Sequence, residues 1–230
     1  MKLSIVIPVF NERSTLPAVL EQVGRVPFEK EILIVDDGST DGTREYLEKL
    51  GQTPGEEIRV LFHDRNRGKG AALRTGFREV RGDVVIIQDA DLEYNPDDYP
   101  ALLNPIVHGR ADVVYGSRFL GGPHRVLLFW HYVGNKLLTL ISNMLTNLNL
   151  SDMETCYKVF RSDVVKALQF SSDGFAIEAE MTVKIARAGY RVYETPISYS
   201  GRDYSEGKKV TWKDAFPTLW ALVKYRFCDR

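Results

Sequence analysis

The chain has 230 residues, 44% hydrophobic and 27% charged, a composition that suits a single globular domain with one large core. A net charge of −1 argues against a general nucleic-acid binder, which needs a broad excess of Lys and Arg to neutralise phosphates. Cys156 and Cys228 lie far apart with no CxxC spacing, which excludes a structural zinc site and gives no expectation of a disulfide.

In chain order, a β-branched run at 3–9 predicts a buried strand, and Leu16, Val19, Leu20 and Val23 give helical spacing over 11–24, with Ser14 or Thr15 as its cap. A second strand at 31–35 runs into the turn-rich Asp36-Asp37-Gly38-Ser39-Thr40-Asp41-Gly42, after which 43–50 is helical. A third strand at 58–62 leads through Asn66-Arg67-Gly68-Lys69-Gly70 into a helix at 71–80. The Gly-Lys-Gly run matches neither a Walker loop nor a dinucleotide fingerprint and reads as a tight turn before a helix.

The fourth strand, 84–88, is Val-Val-Ile-Ile followed by Gln88 and exits into Asp89-Ala90-Asp91-Leu92-Glu93. Four β-α repeats predict an α/β fold with a mainly parallel sheet covered on both faces. Ligands of such sheets bind beyond the carboxyl ends of the strands, where Asn11-Glu12, Asp36-Asp37 and Asp89-Asp91 all fall. Carboxylates at the end of an apolar strand call for positive charge, and oxygen-only ligands suit Mg2+ or Mn2+; the rival reading is that they cap a turn and the next helix.

Beyond a helix at 97–107, a strand at 112–115 ends in Gly116-Ser117-Arg118, where the guanidinium serves either as a phosphate clamp or as a salt bridge. A wide apolar stripe marks a helix at 131–148, packed inside or across a dimer. A short strand at 157–161, helices at 163–168 and 177–188, a last strand at 191–200 and a charged loop at 201–209 follow. In the final segment Trp212, Phe216, Leu219, Trp220, Val223 and Phe227 recur at helical spacing, fitting a core, a dimer contact or a membrane-interfacial helix.

Charge is segregated along the chain. Residues 113–151 contain no Asp or Glu but include Arg118, Arg125 and Lys136, and 207–230 carries Lys208, Lys209, Lys213, Lys224, Arg226 and Arg230 against Asp214 and Asp229. No segment reaches the ~18 apolar residues of a membrane span, and the N-terminal run is too short for a signal peptide. The expectation is a cytoplasmic protein.

Pro8-Val9-Phe10-Asn11-Glu12, Val35-Asp36-Asp37-Gly38-Ser39-Thr40-Asp41-Gly42, Asn66-Arg67-Gly68-Lys69-Gly70-Ala71-Ala72, Asp89-Ala90-Asp91-Leu92-Glu93 and Gly116-Ser117-Arg118 stand in the order seen in family 2 glycosyltransferases. From residue 3 to about 209 the chain resembles the polyprenyl-phosphate, dolichyl-phosphate mannose synthase-like branch of that family. The resemblance implies a GT-A fold over 1–209, a nucleotide-sugar donor, a divalent metal and inversion at the anomeric carbon. Residues 210–230 would form an amphipathic helix suited to a membrane interface.

The resemblance also distributes roles. Asp89, Asp91 and Glu93 would hold the metal, Glu93 standing where mannose synthases often have Gln. Pro8, Phe10, Glu12, Val35, Asp37, Asp89 and Ala90 would line the nucleotide pocket, with Asp37 accepting from the base. Arg118 and Arg202, helped by Lys208 or Lys209, would hold the acceptor phosphate; Asp152 falls in a loop near the sugar. The Glu-Asp pair and Gln-x-x-Arg-Trp motif of polysaccharide-forming relatives are absent, which favours a polyprenyl phosphate acceptor over a hydroxyl, for which Glu178 or Glu180 would be the base. The intact acid set speaks against a silent nucleotide-sugar binding module. Relatives that continue into membrane helices differ from this chain at its end, so the expectation is that attachment is peripheral, runs through a membrane-anchoring partner, or is not needed; a homo-oligomer is a further expected state.

Overall fold

The computed structural model describes residues 1–51, 58–126, 128–203 and 211–228. Strands β1 (Leu3–Val9), β2 (Lys30–Asp36), β3 (Ile58–Phe62) and β4 (Val84–Ile87) alternate with helices α1 (Leu16–Arg25), α2 (Thr43–Leu50) and α3 (Lys69–Glu79). Then come α4 (Tyr99–Val107), β5 (Val113–Ser117), α5 (Phe129–Thr146), β6 (Lys158–Arg161), α6 (Ser162–Ala167), α7 (Ile177–Arg187), β7 (Val192–Pro196) and α8 (Ala215–Phe227). The seven strands form one sheet in the order β3-β2-β1-β4-β6-β5-β7, parallel except for β6, which runs antiparallel between β4 and β5.

The continuous apolar runs are explained by the two-residue period of a strand covered on both faces. Ile5, Ile7, Ile32, Ile34 and Ile86 pack with α1, α2 and α4. Their neighbours Val6, Leu33, Val85 and Ile87 point the other way, into a second core with α3, α6, α7 and α8. Each such side chain, fully buried, contributes about 1.5–3 kcal/mol, so a register slip that exchanged the faces is strongly disfavoured. The parallel register, Ile5 opposite Ile32 and Ile86, brings the ends of β1, β2 and β4 to one edge.

Several local expectations are corrected. Helix α1 starts at Leu16, and Thr15 makes no capping bond to it; its hydroxyl lies 2.7 Å from both Glu12 Oε2 and the Ala90 carbonyl oxygen. The last strand is shorter than 191–200, pairing parallel with β5 over Val192–Pro196, after which Tyr199 bridges back to Tyr94 and His124.

The α8 stripe is turned outward, whereas α5 is apolar on two sides. Of the expected 131–148 stripe, Leu138, Ile141, Leu145 and Leu148 pack against the second core, while Leu137 and Met144, together with Phe129, Trp130, Val133 and Leu140, are exposed. In α8 the inner face is Thr218, Ala221, Leu222 and Tyr225, and Phe216, Trp220, Val223 and Phe227 face outward. An amphipathic helix in a closed protein shows the opposite arrangement. Helices α5 and α8 touch each other, so the two exposed faces belong to neighbouring elements. Among the described residues, no helix is long and apolar enough to cross a membrane.

Candidate active site

The exits of β1 and β2 are stitched together by short polar contacts. Asn11 adopts a left-handed backbone (φ 52°), its N–H donates to Ser39 Oγ at 2.9 Å and its Oδ1 accepts from the Thr40 N–H at 2.8 Å. Asp37 lies at the centre of the next layer. Its carboxylate accepts from the N–H groups of Arg67 at 3.0 Å and Gly68 at 2.7 Å, and meets His63 Nδ1 at 2.6 Å. With Nδ1 donating, His63 Nε2 is left to accept from Thr75 Oγ1 at 2.9 Å. Expected to accept from a nucleoside base, Asp37 already has both oxygens engaged and braces the 66–68 turn from the edge of the cavity.

That turn has to be glycine. Gly68 has φ 98°, and a Cβ there would lie 2.4 Å from the Asp173 carbonyl oxygen; a Cβ on Gly70 would lie 2.2 Å from that of Ser172. The close approach drives the intervening Lys69 inward. Its ammonium sits 2.8 Å from Asp89 Oδ1, 2.8 Å from Cys156 Sγ and 3.4 Å from Glu178 Oε1. Lys69, dismissed in the sequence as part of a turn, is thus a site residue. The only signal for it was its place between two glycines at the mouth of a parallel sheet.

These groups line one cavity of about 1180 Å³, whose walls include Pro8, Phe10, Glu12, Asp37, Asp89, Ala90, Asp91, Glu93, Arg118, Glu154, Glu178 and Arg202. Val35 is not among them. It is fully buried, opposite Pro8 in the register, and the β2 alternation turns its side chain beneath the site towards Gly76 of α3. Lys208 and Lys209 lie outside the described residues. The lining also takes in the 124–132 stretch, where Val126, Leu128, Phe129, Trp130 and Tyr132 alternate with His124, Arg125 and His131.

At the β4 exit the acids are not arranged as a ready-made three-ligand cluster, and no such group occurs among the described residues. Asp89 faces Lys69. Asp91 Oδ2 accepts from Arg202 Nη2 at 2.8 Å, and the same nitrogen lies 3.4 Å from Glu12 Oε1. Glu93 accepts from the Arg202 N–H at 2.8 Å and from the Tyr199 hydroxyl at 2.7 Å.

Among the described residues, the carboxylates of Glu12, Asp89, Asp91 and Glu93 face the cationic groups of Lys69 and Arg202. Burial works to raise the Asp89 carboxyl, but Lys69 beside it wins and holds it below the usual range. Asp91 is pushed up to about 7, by burial first and then by the charges of Asp89 and Glu93, which Arg202 only partly offsets. Clustered carboxylate oxygens, with Asp91 raised by its acidic neighbours, are the donor set of a hard divalent cation site, so the residues fit Mg2+ or Mn2+.

Arg118 makes a buried ion pair, not a surface one. Its Nε and Nη2 donate to Asp152 Oδ2 and Oδ1 at 2.7 and 2.8 Å, and Asp152 has no exposed surface. Two of its five N–H bonds are thereby used, and the group still borders the cavity. Further in, Lys158 is buried between Glu178 and the carbonyls of Met153 and Thr155. Glu180 turns away, accepting from the N–H groups of Ser171 and Ser172 and pairing with Lys184. Glu154 is raised to about 7 by burial and the charge of Glu178, and its Oε1 has no hydrogen-bond partner.

A parallel sheet interrupted by one antiparallel strand, with acids at the β1, β2 and β4 exits, is the architecture of a GT-A glycosyltransferase. Solved structures agree: glucosyl-3-phosphoglycerate synthase from Mycobacterium tuberculosis, in complex with Mn2+, UDP and phosphoglyceric acid, superposes with a TM-score of 0.75 at 18% identity, over 98% of this chain and 78% of that one. The profile described as Glycosyl transferase family 2 matches residues 4–169, and the chain belongs to that family. It is 32% identical over 219 residues to the undecaprenyl-phosphate mannosyltransferase of Micrococcus luteus, covering 90% of this chain and 87% of that protein. It is 30% identical over 211 residues to the polyprenol monophosphomannose synthase of Mycolicibacterium smegmatis, covering 89% and 79%.

Proposed function

We propose that this glycosyltransferase moves a hexose, with inversion, from a nucleotide diphosphate sugar to a polyprenyl phosphate at a membrane surface. The observation that carries the reading is one cavity lined both by the acids Asp89 and Asp91 and by the exposed aromatic side chains of Phe129 and Trp130. A diphosphate held through a cation suits the first, and an isoprenoid chain suits the second. The names of the Micrococcus and Mycolicibacterium relatives support the same acceptor class.

Pro8, Phe10, Glu12 and Ala90 border the donor end of the cavity, where Asp37 fixes the turn that delivers Lys69. Asp91, with Asp89 and Glu93 beside it, would hold Mg2+ or Mn2+. Once bound, the ion neutralises the charge that develops on the departing diphosphate. Lys69 keeps Asp89 ionised for this purpose.

On the acceptor side, Arg118 keeps N–H groups free of Asp152, and Arg202 is a second guanidinium within the same cavity. Both would grip the acceptor phosphate, with Lys208 and Lys209 contributing from the adjoining segment. A phosphomonoester has a second pKa of about 6 and is largely dianionic at pH 7, so no strong base is required. A hydroxyl acceptor would need one, and neither candidate is free: Glu178 is paired with Lys158, and Glu180 points out of the cavity.

The outward apolar faces of α5 and α8, with Lys213, Lys224 and Arg226 on the same C-terminal segment and no acidic residue from 113 to 151, suit peripheral contact with an anionic membrane on the cytoplasmic side. The test is incubation of the protein with Mn2+, membranes and a panel of nucleotide sugars, followed by mass analysis of lipid products. A hexosyl polyprenyl phosphate is the expected product. Transfer only to soluble hydroxyl acceptors contradicts the reading.

A further inference from the structure

Both aspartates at the β4 exit are covered by a basic side chain, but the two covers are not equivalent. Lys69 sits on the first turn of α3, clamped between Asp89, Cys156 and Glu178 and locked by glycines packed against the 172–173 backbone. It cannot leave without breaking the site. Arg202 lies beyond β7, outside any helix or strand. Its backbone and Nε both contact the same Glu93 Oε1, at 2.8 and 3.4 Å, and its Nη2 lies across Asp91 and Glu12 at 2.8 and 3.4 Å.

A guanidinium accepts no hydrogen bond and donates to oxygen, so it satisfies the same carboxylate lone pairs that a divalent cation takes. The two cannot share Asp91 Oδ2. We propose that Arg202 has two stations: it closes the Asp91 corner while the corner lacks a cation, and it is displaced by the cation and donor together, which frees its guanidinium for the acceptor phosphate. This deepens the reading above and depends on it.

Two consequences follow from the exchange. Cation binding to the protein alone is weakened, because Arg202 must first be removed from three carboxylates. Acceptor binding comes second, because the arginine is occupied until donor and cation are in place. The order is useful chemically, since a phosphate bound first would meet no activated sugar.

The experiment is a titration of Mn2+ into the full chain, read by the loss of the free-ion electron paramagnetic resonance signal, for wild type, Arg202→Gln, Arg202→Lys and Asp91→Asn. The proposal expects Mn2+ to bind Arg202→Gln about tenfold more tightly than wild type, with Arg202→Lys between them. Addition of nucleoside diphosphate should narrow the gap between wild type and Arg202→Gln, because the diphosphate helps expel the arginine. Equal or weaker Mn2+ binding by Arg202→Gln, with a wild-type melting temperature, overturns the two-station account. Mn2+ binding that is absent from every variant, or unaffected by Asp91→Asn, overturns the cation reading itself, so the two failures are distinguishable.

Discussion

The ammonium of Lys69 lies 2.8 Å from the carboxylate of Asp89, and the pair is largely shielded from solvent in the wall of the cavity. Removing one member of such a pair strands the other and costs about 3 kcal/mol, whereas removing both charges costs much less. Lys69→Met is therefore expected to lower stability in urea unfolding and to abolish most turnover. The double variant Lys69→Met with Asp89→Asn should regain most of the stability and none of the turnover. Recovery of both would mean that the pair only supports the fold.

Asp91 serves the opposite purpose, because its surroundings leave it short of positive charge. Asp91→Ala relieves like-charge repulsion, so its melting temperature should equal or exceed that of wild type while its rate of sugar transfer falls by at least about 10²-fold. Near-wild-type transfer would remove Asp91 from the chemistry.

Arg118 combines a structural and a binding role. Truncation to Ala leaves the fully buried Asp152 without its bidentate partner, with an expected loss of about 3–5 kcal/mol. Arg118→Lys keeps a charge but not the fork; it is expected to retain more stability and to raise the KM for acceptor while leaving the KM for donor unchanged. Equal effects on both KM values would contradict a clamp on the acceptor.

Asp112 supplies a pH dependence remote from the site. Hydrogen bonds from Arg191, offset in part by burial and helped by Arg161, hold its carboxyl at about 2. A folded-state value below the unfolded ~3.9 stabilises the protein fully above that pH, and the stabilisation disappears as pH falls through about 2. Both arginines are about half exposed, so the contribution is discounted to about 1 kcal/mol. Asp112→Asn should therefore unfold at lower urea than wild type at pH 7, with a smaller difference at pH 3. A difference independent of pH would show that packing, not charge, is responsible.

The membrane-facing assignment is checked by flotation with vesicles. Trp220 is 65% exposed on α8 and Trp130 78% exposed on α5. Changing either to Glu should leave the melting temperature unchanged and reduce binding to anionic vesicles by about tenfold or more. Unchanged flotation of both variants would assign these faces to something other than lipid.

Much of the sheet is legible because β1, β2 and β4 are apolar runs ending in acids, a pattern that only a doubly covered parallel sheet explains. The partners of the site residues are not legible. Arg118 meets Asp152 34 residues later, Arg202 reaches back 111 residues to Asp91, and such pairings are made by topology rather than by local spacing. The antiparallel insertion of β6 is what brings the 152–158 loop beneath Arg118 and Lys69. Helical periodicity located α5 and most of its core-facing stripe, but in α8 it could not tell an inward from an outward apolar face, because the period is the same for both. Val35 differs from the expectation for another reason: Asp37, two residues on and past the strand end, lines the cavity, while Val35 is still within β2 and packs towards α3.

The central claim is that the carboxylates at the β4 exit exist to hold a cation against a diphosphate. The most direct measurement is anomalous diffraction from a crystal soaked with Mn2+ and a nucleotide sugar. The account predicts a manganese peak bonded to Asp91 and to diphosphate oxygens, with the Arg202 guanidinium moved off Asp91. A bound donor with no manganese peak at Asp91 would contradict it.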